Sequence, residues 1–124
     1  MNISFAWTTT DFLAGRKTAT RRFWDDEYAK KFPVGSIHSA WNKSPRFKGV
    51  KIGAISVREI FKQPLSRMTE QDLKEEGTLW NSVAEYVEMM LSQGKGDTPW
   101  VVRFDSLDLQ GKLIAMADRM RIKL

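Results

Sequence analysis

The segment Gly15-Arg16-Lys17-Thr18-Ala19-Thr20-Arg21-Arg22 holds the side chains of this chain best suited to chemistry. Four of its eight residues are basic and two carry hydroxyls, directly after a glycine placed to end a helix. Such a cluster serves a phosphate site, and it serves equally a solvated strand edge where Lys and Arg discourage edge pairing. It is not a P-loop, because the Gly-Lys-Ser/Thr core and its spacing are missing. Cysteine is absent, which excludes disulfides, thiolate catalysis and Cys-ligated zinc. The single histidine, His38, excludes a His-rich metal site and a relay of two imidazoles, and between Ile37 and Ser39 it reads as structural.

Aromatic side chains stand beside several of these cations. Trp24 follows Arg21-Arg22, and Trp41 precedes Asn42-Lys43. Indole faces near guanidinium groups stack unpaired bases, each worth roughly 1–3 kcal/mol. Trp7, Trp80 and Trp100 read as core. Arg46, Lys48 and Lys51 surround Pro45 in a segment that reads as an exposed loop suited to phosphates or to solvent.

The elements that must position these residues follow from periodicity and breakers. Met1 to Trp7 reads as a half-buried strand, and Asp11 to Ala14 as a short helix stopped by Gly15. Thr18 to Phe23 reads as a strand with Thr18, Thr20 and Arg22 on one face. Asp25-Asp26-Glu27 opens a helix that Lys30-Lys31 closes, matching the helix dipole. Ser36 to Trp41 and Val50 to Phe61 alternate as strands. Thr69 caps a helix with Asp72 at capping-box spacing, running to Glu76 and stopped by Gly77. Trp80, Val83, Ala84, Val87 and Leu91 predict a helix over 79–92. Trp100 to Phe104 is a strand, and the spacing of Leu109, Leu113, Met116 and Met120 predicts a helix over 109–124. The strands are more than a helix bundle would use and are not each followed by a crossover helix, so a small α+β barrel is expected.

At 124 residues the chain fits one domain, 1–124. Net charge is +5, divided unevenly. Met1 to Arg67 holds 13 Lys and Arg against 5 acids, whereas Met68 to Leu124 holds 7 against 10. One basic half beside a mildly acidic one fits a polyanion binder with one working face. No apolar run approaches membrane-spanning length and the first residues lack a secretory pattern, so a cytoplasmic location away from membranes is expected.

The stretch Leu13 to Arg22 resembles the ASCH signature Gly-x-Lys-x-x-Thr-x-Arg, with Gly15, Lys17, Thr20 and Arg22 at its fixed positions. The acidic segment Met68 to Gly77, with its Glu-Gly end, resembles a second family feature. With Val34-Gly35 and the strand at Trp100, the likeness covers about residues 3 to 106, leaving 107–124 as an extension. The family's usual Asp after that glycine is Ser36 here.

The resemblance implies a small PUA-like β-barrel with flanking helices and a link to RNA. One branch hydrolyses the acetyl amide of N4-acetylcytidine through a Lys, Thr and Glu set, and metal-free RNA cleavage is another activity of the family. Carried over by position, the catalytic set is Lys17, Thr20 and Glu76, with Glu76 chosen over Glu75 because it precedes Gly77. A neutral Lys17 would take the Thr20 proton; a charged one would stabilise an oxyanion and leave Glu76 as base. Arg16, Arg21, Arg22, Trp24, Trp41 and Lys43 are the expected binding residues. The expected partner is RNA or a modified nucleoside, bound by a monomer that needs no cofactor or metal. A non-catalytic RNA-binding module and a metal-independent ribonuclease are the alternatives.

Overall fold

Alternating apolar residues build five strands in the computed structural model, which describes residues 1–114. These are β1 (Asn2–Ser4), β2 (Ala19–Arg22), β3 (Ile37–Trp41), β4 (Lys51–Lys62) and β5 (Trp100–Leu107). Four helices flank them: α1 (Thr9–Leu13), α2 (Asp26–Ala29), α3 (Glu70–Glu76) and α4 (Val83–Leu91). The strands form one sheet in the order β1-β3-β4-β5-β2, with β1 parallel to β3 and the other pairs antiparallel. Register shifts at Ala40/Trp41 and at Val57/Glu59 add twist where the long β4 runs. The sheet curls into a half-barrel, the expected α+β architecture, without a backbone ladder joining β1 to β2.

Two apolar clusters hold the layers together. Ile3, Phe5, Phe12, Phe32, Ile55, Val57, Val102 and Phe104 fill the concave side of the sheet. Leu65, Met68, Leu73, Tyr86 and Met90 pack α3 and α4 together. His38 is buried on the first cluster, its ring 4.2 Å from that of Phe32 and its Nε2 2.8 Å from Ser36 Oγ, the structural placement expected.

Most elements lie where the sequence puts them, and the boundaries moved for identifiable reasons. The first strand stops at Ser4 because Ala6 adopts φ +44, followed by a 3-10 turn over Ala6–Thr8. That turn breaks the alternation which would bring Trp7 inside with Ile3 and Phe5. Trp7 is 88% exposed, so it is not a core residue. The helix expected over 79–92 begins only at Val83, because the Ser82 hydroxyl accepts from Glu85 N and caps it there. Residues 107–114 form a tight turn rather than a helix: Asp108 accepts from the amides of Gln110 and Lys112, and Leu107 bridges Leu113. The rest of the helix expected there lies outside the described residues.

The end of α3 is fixed by one close approach. Thr69 and Asp72 form the reciprocal capping box at its start. At its end Gly77 has φ +123 and ψ −163, a region essentially reserved for glycine. An added Cβ there would lie 2.6 Å from Asp11 Oδ2. The Asp11 carboxylate accepts from Thr78 N, Thr78 Oγ1 and Arg16 Nε, tying α1 to the end of α3. Gly77→Ala should therefore lower unfolding free energy by roughly 1–3 kcal/mol, read from the denaturant midpoint. An unchanged midpoint would show that the Asp11 clamp is slack.

Candidate functional site

β2 forms one wall of a cleft at the open side of the half-barrel. The opposite wall is the segment from Ser4 to Thr8, and α4 with Leu79 and Trp80 closes the far side around a cavity of about 460 Å³. Arg22 spans the opening: its Nη2 donates to the Ser4 carbonyl at 2.7 Å and its Nε to Thr20 Oγ1 at 3.0 Å. A single side chain thus links the two terminal strands of the sheet.

The floor of the cavity contains a buried ionic cluster. Glu76 is 1% exposed and Lys17 3%. Lys17 Nζ donates to the Glu76 backbone carbonyl at 2.9 Å and to its Oε1 at 3.2 Å. Arg21 Nη1 donates to Oε2 at 2.8 Å, and Tyr86 OH to Oε1 at 3.0 Å. Lys17 precedes β2 instead of lying within it, and so escapes the strand alternation that would turn it away from Thr20. Thr20, also 3% exposed, lines the same cavity. Its hydroxyl accepts from Arg22 Nε and has no hydrogen bond to Lys17 or Glu76 among the described residues.

Electrostatics distinguishes these groups. Burial pushes the Lys17 pKa below its ordinary value, the Glu76 carboxylate opposes that shift, and the Arg22 charge adds to it. Burial and the neighbouring Glu76 charge push the Tyr86 phenol upward, so it stays protonated and donating. For Asp11 burial favours the neutral acid, but hydrogen bonds from Thr78 and Arg16 outweigh it and hold the pKa below the usual carboxylate value.

The structure separates the other sequence candidates. Trp24 lines the cavity, its ring stacked 4.3 Å from Phe32. Arg21 also lines it, but its guanidinium is committed internally, to Glu76, to Gln63 Oε1 at 2.6 Å and to Asp72 at 3.7 Å. Arg16 pairs with Asp11 at 2.8 Å and is not among the cavity residues. Trp41 and Lys43 also lie outside the cavity; the Trp41 indole donates to Asn2 Oδ1. Glu75 faces away from Glu76 and pairs with Arg103 at 2.9 Å. Sequence reasoning overlooked Tyr86, Trp7 and the face of α4 that carries Met89 and Met90 into the cavity, with Gln93 just beyond the helix. The helical period of α4 was visible, but such a stripe reads as core until its neighbours are known.

The curled five-stranded half-barrel is similar to the fold of solved ASCH domains. The chain resembles the ASCH domain from Lactobacillus crispatus at a TM-score of 0.60 and 17% identity, covering 85% of this chain and 69% of that one. It also resembles a DUF984 protein from Enterococcus faecalis (TM-score 0.58, 14% identity, 94% and 72% covered). The ASCH protein from Zymomonas mobilis is similar at TM-score 0.52 and 11% identity, with 90% and 73% covered. No family model matches the sequence, and no curated protein does. Among the described residues no helix is long and apolar enough to cross a membrane.

Two variants test the ionic cluster. Glu76→Gln leaves Arg21 buried beside a neutral group, and a guanidinium cannot discharge; the expected loss of stability is roughly 3–5 kcal/mol. Lys17→Met should cost less, because it removes a cation that is expensive to bury. Lys17 also sets a pH signature. Between its lowered folded pKa and the ordinary 10.5, the unfolded chain binds more protons, so stability rises with pH. The burial cost of the ammonium is complete below the folded pKa and absent above the unfolded one. Wild type should therefore gain stability over Lys17→Met as denaturant melts move up from pH 7 toward that value. A pH-independent difference between the two proteins would refute this account of Lys17.

Proposed function

We propose that this protein hydrolyses an acyl amide on a cytosine, of the N4-acetylcytidine type, with Lys17, Thr20 and Glu76 as its catalytic set. The observation that carries the reading is the Lys17 ammonium held by two Glu76 oxygens at the floor of a cavity that Thr20 also lines. A neutral lysine has two N–H bonds and one lone pair. Glu76 occupies two of the four tetrahedral directions at Nζ and the side chain a third, which leaves one for the cavity. Glu76 itself is a poor base, since Oε1 and Oε2 already accept from Lys17, Tyr86 and Arg21. Its role is to hold Lys17 in place.

In this mechanism neutral Lys17 takes the Thr20 proton as Oγ1 attacks the acyl carbon, and the carbonyl π pair moves to oxygen. The hydrogen bond from Arg22 Nε makes the threonine oxygen easier to deprotonate. When the carbonyl re-forms, the C–N4 bond breaks and N4 receives the proton from the Lys17 ammonium. The amine leaves and the acyl group remains as an ester on Thr20. Water, deprotonated by Lys17, then attacks the ester; the Thr20 oxygen recovers the proton and the carboxylic acid departs.

The ligand is read as a nucleoside in preference to a long strand. Arg21 and Lys17 are bound to Glu76, and Arg22 to Ser4 and Thr20, which leaves Lys95 as the cavity cation without such a commitment among the described residues. A polyanion would find few free charges at this mouth. Binding without turnover is the second reading, favoured by the engagement of Thr20 with Arg22 rather than with Lys17.

Incubation with N4-acetylcytidine and mass-spectrometric detection of cytidine tests the reaction. Lys17→Ala should lower kcat roughly 10²–10⁴-fold, the usual contribution of a general base. The rate should rise with pH as Lys17 deprotonates, and KM should change little between 50 and 200 mM salt. A strand binder contacting several phosphates would instead lose about 10³-fold or more in affinity over that range. Binding of the nucleoside with no cytidine released would establish the second reading.

A further inference from the structure

Trp7 has no role in the reaction above, yet its placement is costly. It is 88% exposed, whereas the other four tryptophans are half-buried. It projects from the cavity wall directly after Ala6, whose φ of +44 is a left-handed conformation that alanine rarely adopts. The turn is fixed from both sides. Phe5 is 3% exposed and stacks on Phe12 at 4.8 Å, while the hydroxyls of Thr8 and Thr9 donate to the carbonyls of Phe5 and Ala6, each at 2.7 Å. Arg22 holds the carbonyl of Ser4, three residues before Trp7, and hydrogen-bonds Thr20 with the same guanidinium. The indole is therefore presented on a rigid support that is linked to the floor of the cleft.

We propose that Trp7 is the stacking platform for the ligand's base, so that a planar conjugated ring, and not the acyl group alone, selects the ligand. Local backbone strain coincides with an apolar surface turned toward solvent at the rim of the same cavity, and a bound ring relieves that exposure. An exposed indole offers a π-face that every nucleobase can use, so it confers selection for a base without strong selection among bases. Selection of the acylated position falls to the floor of the cavity, where Lys17 and Thr20 lie. The inference rests on the proposed function for its substrate, and its test separates the two.

The experiment compares wild type with Trp7→Ala, Trp7→Phe and Phe47→Ala. Phe47 is an exposed aromatic away from the cavity. Turnover of N4-acetylcytidine and calorimetric binding of cytidine, adenosine and free ribose are measured for each. Trp7→Ala should raise KM and weaken both nucleosides roughly 5- to 100-fold, the range expected for loss of one stacked base. The effect should fall on KM more than on kcat; Trp7→Phe should restore most of it, Phe47→Ala should match wild type, and ribose should not respond. Turnover in wild type with an unaltered KM in Trp7→Ala overturns the platform and leaves the proposed reaction standing. Nucleoside binding that depends on Trp7 without turnover keeps the platform and rejects the reaction. Absence of nucleoside binding in wild type rejects both.

Discussion

A carboxylate with almost no contact with water organises this protein. At that depth Glu76 is surrounded by donors, Lys17 and Arg21 from β2 and the turn that leads into it and Tyr86 from α4. Each of the three has its position fixed in turn. Lys17 lies in the turn before β2, whose register is set against β5; Arg21 is within β2; Tyr86 is on α4, inside the second apolar cluster. The end of α3 is held by the clamp between Asp11 and Thr78, which the bare backbone at Gly77 permits. Packing and electrostatics therefore converge on one point: misplacing α3, α4 or β2 leaves a buried charge uncompensated.

The same arrangement changes what the basic composition means. The cationic stretch that stands out in the sequence is mostly turned to internal use, with Arg16 on Asp11, Arg21 on Glu76 and Gln63, and Arg22 on Ser4 and Thr20. These donors are therefore already engaged at the cavity, while Arg22, bonded to neutral acceptors, keeps its charge uncompensated there. The opening is instead rich in large apolar side chains, with Trp7, Leu79, Trp80 and Met89 around it. Apolar walls with a few convergent polar groups are the usual make-up of a small-molecule pocket.

Much of the fold was legible in the sequence because its signals are local. The Thr69 capping box, the acidic entry to α2 and the alternation in β3 and β4 each depend on residues within a few positions of one another. The proximity of Lys17 and Glu76 was accessible through the ASCH resemblance and not through spacing, since 59 residues separate them. Trp7 was misread because strand alternation runs on until something interrupts it, and an alanine with positive φ leaves no mark in composition. Tyr86 was missed for a related reason. A tyrosine on the apolar face of a helix reads as packing, and its hydroxyl gains significance only once a carboxylate from another helix lies 3.0 Å away.

The half-barrel is joined across its gap by a guanidinium where a closed barrel would have a run of amide-to-carbonyl bonds. Opening that seam would break hydrogen bonds of one side chain and leave the ladders of both adjoining strands intact. The side chain that closes the gap is therefore also the one that donates to the Thr20 hydroxyl.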